Sequence, residues 1–122
     1  MKLRLHEIEL GCHHVQQSTA LFQSLLGLTP KLSQKELSVL DAGVPGLDFS
    51  LSTHLPAGVV VISFLTDDLD EIETRLKNAG IPYEGPRPSH LGMVTIEFKD
   101  ANGYLVRVNT AGKESPSGLQ AG

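Results

Sequence analysis

Hydrophobic and polar residues alternate along two separate stretches of the chain, and each stretch leads into a helical pattern. Arg4 to Gly11 alternates with a period of two, and so does the stretch from Val61, which is typical of strands with one buried face. Apolar residues at helical spacing then cover about Val15 to Leu26, and a second such segment ends before Gly80. The pattern therefore predicts a strand followed by a helix, twice.

The two strand-helix segments belong to a longer internal repeat. Glu7 to Ser52 is echoed, element by element, by Val61 to Asn109. The strand predicted within Pro45 to Thr53 closes the first copy, and the one within Asn102 to Thr110 closes the second. We therefore predict an α+β fold of two tandem β-α-β-β-β units in a single domain over residues 1–110. The units cover about residues 3–53 and 58–110, and residues 111–122 form a flexible tail, because that segment is small, polar and rich in Pro and Gly.

The helix ends carry recognisable capping signals. Gly27 and Gly80 follow the two helices at positions suited to a left-handed C-cap. Asp68 is placed to cap the second helix, with Glu71 three residues later as in a capping box. The predicted buried stripes are Val15, Leu21, Phe22, Leu25 and Leu26 on the first helix and Leu69, Ile72, Leu76 and Ala79 on the second.

The strand faces opposite to these helices have nothing in the sequence pattern to cover them, so we expect them to line a concave surface. Counting from Glu7 places His6 on the helix-facing side of the first strand. The helix-free faces carry Glu7, Glu9, Asp48, Ser50, Ser52, Val61, Ser63, Leu65, Leu105, Arg107 and Asn109.

Composition and charge narrow the class of protein. The chain has 122 residues, 40% of them hydrophobic and 20% charged, which are ordinary globular values. No apolar run approaches the ~18 residues of a membrane span, and Met1 to Leu10 carries too many charges for a secretory signal. With a formal charge of -4 and dispersed Lys and Arg, we expect no nucleic acid partner and no membrane. The single cysteine, Cys12, fits a reducing cytoplasm.

Three motifs make the chain similar to one superfamily. They are SxxxFxxLLGL at Ser18 to Leu28, FLTDDLDEIETRLKNAGI at Phe64 to Ile81, and FKDANGYLVRV at Phe98 to Val108. Over Lys2 to Thr110 the chain resembles the glyoxalase I, bleomycin-resistance and extradiol-dioxygenase superfamily, the vicinal oxygen chelate fold. The resemblance implies a curved mixed sheet around a cleft, helices on the outer face, and a homodimer.

The resemblance also implies where a metal ion would be bound. In the metalloenzymes of this superfamily a divalent ion is held by side chains from the first and last strand of each half. Those positions are Glu7, Ser50, Val61 and Arg107 here. Val61 has no donor atom, and the guanidinium of Arg107 is positive where a carboxylate should neutralise the ion. We therefore predict no metal and no cofactor at these positions.

Glu7 and Arg107 then suggest what replaces the ion. They occupy positions that converge in the superfamily, so the sequence predicts a charge-assisted pair, within one chain or between two. Such a pair is either purely structural, or Arg107 binds a carboxylate or phosphate of a ligand while Ser50, Ser63 and Asn109 add hydrogen bonds. A third alternative applies if Arg107 is neutralised elsewhere, since Glu7, Glu9 and Asp48 would then make the cleft acidic enough for a cationic ligand. The sequence leaves these alternatives open.

Five histidines offer little further chemistry. His6, His13, His14 and His54 are expected to be packed, at the helix entry or solvated. His90 is retained as a ligand-binding candidate because its loop flanks the cleft in this superfamily. No nucleophile elbow, phosphate-binding glycine loop or Cys-His zinc pattern is present in the sequence.

Two classes of function remain, with a third that has no sequence signature. The first is a small-molecule binding protein with a degenerate metal site, in the manner of bleomycin-binding members. Bleomycin itself is disfavoured, since the chain has no Trp and only 5% aromatic residues. The alternative is a metal-dependent lyase, isomerase or dioxygenase of the glyoxalase I type whose ligand set has moved to Glu9, Asp48 or His90. The third is an adaptor that uses the fold for protein contacts.

Overall fold

Strands and helices follow one another in the order that the sequence pattern predicts. The structure is a computed structural model, and it describes residues 1–121. Over that range it contains eight strands, two α-helices and a short 3-10 turn at His90–Gly92. The elements are β1 (Leu3–Gly11), α1 (Val15–Leu26), β2 (Pro30–Ser33), β3 (Leu37–Asp41), β4 (Asp48–Ser52), β5 (Val60–Thr66), α2 (Leu69–Ala79), β6 (Tyr83–Pro88), β7 (Val94–Lys99) and β8 (Leu105–Thr110).

The chain divides into two compact units that follow the predicted repeat. The N-terminal unit is Glu7–Val61, and the C-terminal unit combines Met1–His6 with the chain from Ile62 onward. The first repeat predicted from the sequence therefore corresponds closely to the N-terminal unit.

The N-terminal unit has its strands in the order β2-β3-β4-β1. β1 and β4 pair in parallel, whereas β2–β3 and β3–β4 are antiparallel, so the sheet is mixed. One face of the unit packs on α1, because alternate residues of β1 and β4 are apolar there. Its core is Val15, Leu40 and Leu51, with Leu10, Cys12, Phe22, Leu28 and Phe49 packed against them.

The C-terminal unit has its strands in the order β5-β8-β7-β6. β6–β7 and β7–β8 are antiparallel, and the β7–β8 register sets Glu97 opposite Arg107 and Thr95 opposite Asn109. The unit buries one face of these strands under α2. Its core is Leu69, Leu76, Ile96 and Val108, with Ile72, Tyr83, Val94 and Phe98 around them.

The predicted helix ends are confirmed. Gly27 and Gly80 are left-handed C-caps with φ of 70° and 69°, a conformation that costs glycine little because it has no Cβ. Asp68 caps α2 through its Oδ1, which accepts a hydrogen bond from the backbone N–H of Glu71 at 3.1 Å. His14 stands at the same place before α1 and makes no side-chain capping bond.

The predicted buried stripe of each helix is confirmed only in part. On α2, Leu69 and Leu76 are buried and Ile72 is half-buried, but Ala79 is exposed. On α1, Val15 and Thr19 are buried and Phe22 is half-buried, whereas Leu21, Leu25 and Leu26 are 53%, 70% and 66% exposed. Since successive residues rotate by about 100° around a helix, Leu21 and Leu25 lie roughly a quarter turn or more away from the buried face. Thr19 fits that face because its Oγ1 donates to the Val15 carbonyl at 2.8 Å.

The segment predicted as a flexible tail makes contacts within the C-terminal unit. Arg4 donates from Nε and Nη2 to the carbonyls of Gln120 and Gly118, at 2.6 and 3.0 Å. Ser115 Oγ donates to the Leu91 carbonyl at 2.7 Å. Gly122, the last residue of that segment, lies outside the described residues. Neither α-helix of residues 1–121 combines the length and the apolar character that a membrane crossing requires.

Candidate functional site

Two carboxylates of β1 each accept a hydrogen bond from a serine of β4. Glu7 Oε2 accepts from Ser50 Oγ at 2.8 Å, and Glu9 Oε2 accepts from Ser52 Oγ at 2.6 Å. The parallel register sets Glu9 opposite Ser50, so each carboxylate reaches diagonally along the same face. That face is opposite to the one on which Leu51 packs toward α1. The predicted site residues Glu7 and Ser50 are thus brought together.

These hydrogen bonds explain how carboxylates are tolerated at buried positions. Glu9 is only 7% exposed, and both Ser50 and Ser52 are fully buried. A buried carboxylate needs donors because removing its hydration is costly. Ser52 Oγ in turn accepts from the backbone N–H of His54 at 3.1 Å, which orients the hydroxyl toward Glu9. Asp48, the first residue of β4, forms an ion pair with Lys31, whose Nζ lies 2.7 Å from Asp48 Oδ1.

The second repeat carries different chemistry at the matching positions. Val61 and Ser63 stand where the first repeat has Glu7 and Glu9. Arg107 and Asn109 stand where it has Ser50 and Ser52. Val61 is fully buried and apolar. The carboxylate-serine pairs of the first repeat are therefore not reproduced in the second.

Two buried polar atoms of the C-terminal unit have no hydrogen-bond partner among the described residues. They are Ser63 Oγ and Asn109 Oδ1, and the residues are 1% and 2% exposed. The amide nitrogen of Asn109 is engaged, since Nδ2 lies 3.0 Å from the Nε2 of His6. Leaving a buried donor or acceptor unsatisfied costs about 1–3 kcal/mol. The unsatisfied atoms of Ser63 and Asn109 therefore lower the stability of the folded chain. Both residues were predicted from the sequence to bind a ligand.

His6 was placed on the wrong face from the sequence. Its imidazole is 5% exposed and contacts Asn109. Val108, the residue before Asn109 on β8, packs under α2, so Asn109 faces the opposite, helix-free side. Leu3 lies near α2, so counting by twos from Leu3 places His6 on the helix-free side. Counting back from Glu7 gives the opposite side. Sequence reasoning therefore missed a buried histidine beside a predicted site residue.

Arg107 has a carboxylate partner on the neighbouring strand. Its Nε donates to Glu97 Oε2 at 2.7 Å, and Arg87 Nη2 lies 3.8 Å from the same oxygen. The Arg107 and Glu97 side chains are 26% and 17% exposed. Glu97 was not predicted, although counting back from the hairpin turn at Asp100 to Gly103 would have set it opposite Arg107. The predicted pair of Glu7 with Arg107 stays a prediction.

His90 lies in the 3-10 turn and is exposed, with its Nδ1 3.3 Å from Ser89 Oγ. Two of the pockets in the described residues lie in the C-terminal unit, and the lining of neither of these two includes a predicted site residue. One, of about 320 Å³, is lined by Pro82, Tyr83, Glu84, Glu97, Phe98, Lys99 and Leu105. The other, of about 370 Å³, lies beside α2 and is apolar apart from Arg75. Ser63 and Asn109 are therefore not part of the lining of either of these pockets.

One titratable group has a clearly perturbed environment. Tyr83 donates from its hydroxyl to Glu73 Oε2 at 2.7 Å. This hydrogen bond, followed by burial and by the negative charge of Glu73, raises the pKa of Tyr83 above 10.0. The shift stabilises the protonated phenol, so Tyr83 acts here as a hydrogen-bond donor that links β6 to α2.

The residues at the superfamily's metal positions do not fit a divalent ion. Glu7 supplies one carboxylate, Ser50 Oγ already donates to it, Val61 is aliphatic and Arg107 is cationic. A divalent ion of this kind requires several oxygen or nitrogen donors and negative charge. Within residues 1–121 no group of three or more His, Cys, Asp and Glu side chains is arranged to hold a metal ion.

Comparison with known proteins gives structural matches without sequence relatives. No protein-family model matches the chain, and no curated protein matches its sequence. A chain from a crystal structure of NAD-dependent benzaldehyde dehydrogenase from Legionella pneumophila superposes with a TM-score of 0.68 at 16% identity, over 87% of this chain and 98% of that one.

Two further structures also superpose on most of this chain. A glyoxalase/bleomycin resistance protein/dioxygenase superfamily member from Vibrio splendidus 12B01 has a TM-score of 0.66 at 21% identity, over 88% of this chain and 98% of that one. A methylmalonyl-CoA epimerase variant from Streptomyces coelicolor, in complex with 2-nitronate-propionyl-CoA, has a TM-score of 0.66 at 18% identity, over 95% and 99%.

The dehydrogenase and the epimerase are named for different activities, and identities of this size show the fold alone. What these structures share with this chain is a fold that superposes over 87–95% of this chain and 98–99% of each of theirs. The fold implied by the resemblance of the sequence motifs is therefore confirmed. The chain has the vicinal oxygen chelate fold, that of the glyoxalase, bleomycin-resistance and dioxygenase superfamily.

Proposed function

We propose that this protein binds a small organic molecule through polar side chains on the helix-free faces of its strands, and that it does so without a metal ion. The observation that carries the proposal is the pair of buried, unpartnered atoms Ser63 Oγ and Asn109 Oδ1. A ligand that hydrogen-bonds to both would recover most of the ~1–3 kcal/mol that each unsatisfied group costs. Ligand pockets are mostly lined by apolar side chains, with a few polar groups that fix the orientation of the ligand.

The chemistry of these atoms narrows the ligand class. Asn109 Oδ1 accepts hydrogen bonds only, whereas Ser63 Oγ both donates and accepts. A ligand hydroxyl or amide satisfies both. Arg107 lies two residues before Asn109 on β8, on the same face and about 7 Å along the strand. Its guanidinium favours a carboxylate or phosphate, so we propose an anionic molecule that also carries a hydroxyl or amide.

The donor set supports binding without a metal. Of the four positions that the resemblance gives to a metal, only Glu7 carries a carboxylate, and Arg107 carries a positive charge where a ligand to the ion should carry a negative one. A guanidinium binds an anionic group directly, a task that a Lewis-acidic ion performs in metal-dependent sites. Arg107, oriented by Glu97, therefore takes the place of the ion as the anchor of an anionic ligand.

A ligand screen on chelator-treated protein tests this proposal. The probes are small hydroxycarboxylates, phosphate monoesters, aromatic cations and methylmalonyl-CoA, the last because a structural neighbour binds a related acyl-CoA. We expect at least one of the anionic probes to raise the melting temperature and to give a saturable calorimetric titration. Ser63→Ala and Asn109→Leu should each weaken that binding about tenfold, whereas Ser24→Ala, at an exposed serine of α1, should not change it.

Three results would contradict the proposal. They are the absence of any stabilising probe, equal binding by the wild type and by both site variants, and binding that appears only after a metal is added. Stabilisation by an aromatic cation alone would overturn the assignment of an anionic ligand and would point instead to the acidic face of Glu7, Glu9 and Asp48.

A further inference from the structure

The C-terminal segment, residues 111–121 and named the tail here, is held against the loop that precedes β7. Ser115 Oγ donates to the Leu91 carbonyl at 2.7 Å and accepts from the backbone N–H of Gly112 at 2.9 Å. Gly112 also lies so close to this loop that a Cβ atom at its position would collide with the carbonyl oxygen of Gly92. This first attachment of the tail therefore depends on a residue without a side chain.

The second attachment of the tail is to the first strand. Arg4 donates from Nε and Nη2 to the carbonyls of Gln120 and Gly118. Arg4 lies two residues before His6, and alternation along a strand puts both side chains on one face. His6 contacts Asn109 on the helix-free side, so the end of the tail lies on that side as well.

The two attachments lie on opposite sides of the strand that carries Asn109. Within the C-terminal unit β8 lies between β7, which follows the loop at Leu91, and β5. The start of β1 belongs to the same unit and continues the sheet beyond β5, since the Lys2 carbonyl accepts from the backbone N–H of Asp67 at 3.3 Å. Between its two attachments the tail therefore passes the end of β8 at which Asn109 lies.

The side chains of this face are closed to solvent. Ser63 and Asn109 are 1% and 2% exposed, and Thr95, opposite Asn109 on β7, is 4% exposed. Helix α2 packs on the other face of these strands, so it does not account for this burial. A molecule from solvent can reach the polar atoms of Ser63 and Asn109 only after a covering segment has moved.

We propose that the tail is a strap that closes the helix-free face of the C-terminal unit over Asn109 and opens to admit a ligand. The proposal rests on the proposed function, because it supplies the opening that binding at Ser63 and Asn109 requires. The hydrogen bonds from Arg4 and Ser115 that hold the tail are exposed. Segments held in this way open at a lower free energy than the core does.

The contact at Arg4 suits exchange of the tail for an anionic ligand. One guanidinium donates through two nitrogens to two carbonyl oxygens of the tail, neither of which carries a full charge. A carboxylate or phosphate presents two oxygens to the same pair of donors and adds a negative charge, which strengthens both bonds. An anionic ligand can therefore replace the tail on Arg4.

The sequence of the tail also suits a segment that opens. Residues 111–121 read AGKESPSGLQA, with Leu119 as the one large apolar side chain. Such a segment buries little apolar surface, so the folded chain loses little stability when the tail lifts away.

Alkylation of an introduced thiol tests the strap without any ligand. Thr95→Cys puts the thiol on the face that the strap closes, opposite Asn109 and outside the proposed ligand-binding residues. Labelling by iodoacetamide is read by mass spectrometry at the peptide that contains position 95, so that labelling of Cys12 does not interfere. We expect much slower labelling than in urea-unfolded protein. Adding Gly112→Ala should accelerate it at least about tenfold, because the new Cβ dislodges the first attachment.

Two further variants complete the test. Ser115→Ala, which removes two hydrogen bonds of the tail, should accelerate labelling in the same direction as Gly112→Ala. Gly118→Ala is the matched control, because it makes the same change in the same tail where an added Cβ would meet nothing within 4 Å. It should leave the labelling rate within about twofold of the starting variant.

Three labelling results would overturn the strap. They are labelling as fast as in unfolded protein before the tail is altered, equal rates in all variants, and equal acceleration by Gly112→Ala and Gly118→Ala. If Thr95→Cys fails to fold, as judged by circular dichroism, Ser63→Cys is the second probe position, since it exchanges one atom at a residue that is 1% exposed.

The ligand screen separates the strap from the proposed function. If glycerol 3-phosphate or another anionic probe binds the wild type, Gly112→Ala should bind that probe at least about threefold more tightly, because a larger fraction of the chain is open. Equal or weaker binding by Gly112→Ala would overturn the strap. If no probe binds, the proposed function fails, and the labelling rates still decide whether the tail closes this face.

Discussion

Ser52 and Ser63 are buried serines on strands of the two repeats, and their hydroxyls are in opposite states. Ser52 Oγ donates to Glu9 and accepts from the His54 backbone, whereas Ser63 Oγ has no partner among the described residues. A hydroxyl that satisfies a buried carboxylate stabilises the fold, and an unsatisfied one destabilises it. The same substitution should therefore act in opposite directions at the two sites.

We predict that Ser52→Ala lowers the free energy of unfolding by about 1–3 kcal/mol, because Glu9 loses a donor in a buried environment. Ser63→Ala should leave the free energy of unfolding unchanged or raise it by up to about 1 kcal/mol, because it removes an unsatisfied group. Urea unfolding of ligand-free protein measures both. A Ser63→Ala variant destabilised as strongly as Ser52→Ala would show that Ser63 Oγ is satisfied in solution.

A second prediction concerns Tyr83. Its pKa is raised above 10.0 mainly by the hydrogen bond to Glu73, so the folded state favours the protonated phenol. The stabilisation is therefore fully present below about pH 10 and is lost as the pH rises through the raised pKa. The difference in tyrosinate absorbance between the wild type and Tyr83→Phe should have its midpoint above pH 10.0.

The difference in the free energy of unfolding between the wild type and Tyr83→Phe should decrease over the same alkaline range and should be constant near neutral pH. A midpoint at or below pH 10.0 would mean that the bond between Tyr83 and Glu73 is not formed in solution.

At the scale of elements, the two helices begin differently. Asp68 caps α2, whereas His14 precedes α1 without a side-chain cap. We predict that Asp68→Ala lowers the free energy of unfolding by about 1 kcal/mol, the usual cost of a lost N-cap. His14→Ala at the equivalent position should change it by less than about 0.5 kcal/mol. Thermal and urea unfolding measure both variants. If Asp68→Ala and His14→Ala lowered the free energy of unfolding equally, the result would argue against the cap.

The elements themselves could be predicted from the sequence because their signals are local. The bounds of α1, the cap at Asp68 and the glycine C-caps follow from spacing and side-chain chemistry. The buried face of α1 could not, since Thr19 occupies it by bonding back to the Val15 carbonyl, Leu21 and Leu25 point elsewhere, and Leu26 is exposed at the helix end. His6 was misplaced because strand alternation counted from Glu7 disagrees with alternation counted from Leu3.

At the scale of the whole molecule, the internal repeat made the fold predictable, since it fixed the order of strands and helices in both units. The predicted site was less accessible to sequence reasoning. The pairing of Glu7 with Ser50 depends on parallel register, and that of Arg107 with Glu97 on hairpin register, neither of which is set by one residue. The orphaned atoms of Ser63 and Asn109 depend on burial of both residues, which only the folded chain defines.

The central proposal is that this protein binds its ligand without a metal ion. Elemental analysis of untagged protein tests it most directly, before and after incubation with Ni, Co, Zn, Mn and Fe(II), with melting temperatures recorded alongside. We predict less than stoichiometric metal in every sample and an unchanged melting temperature, because Val61 and Arg107 cannot serve as ligands. One ion per chain with a raised melting temperature would contradict the claim and would favour a metal-dependent lyase, isomerase or dioxygenase.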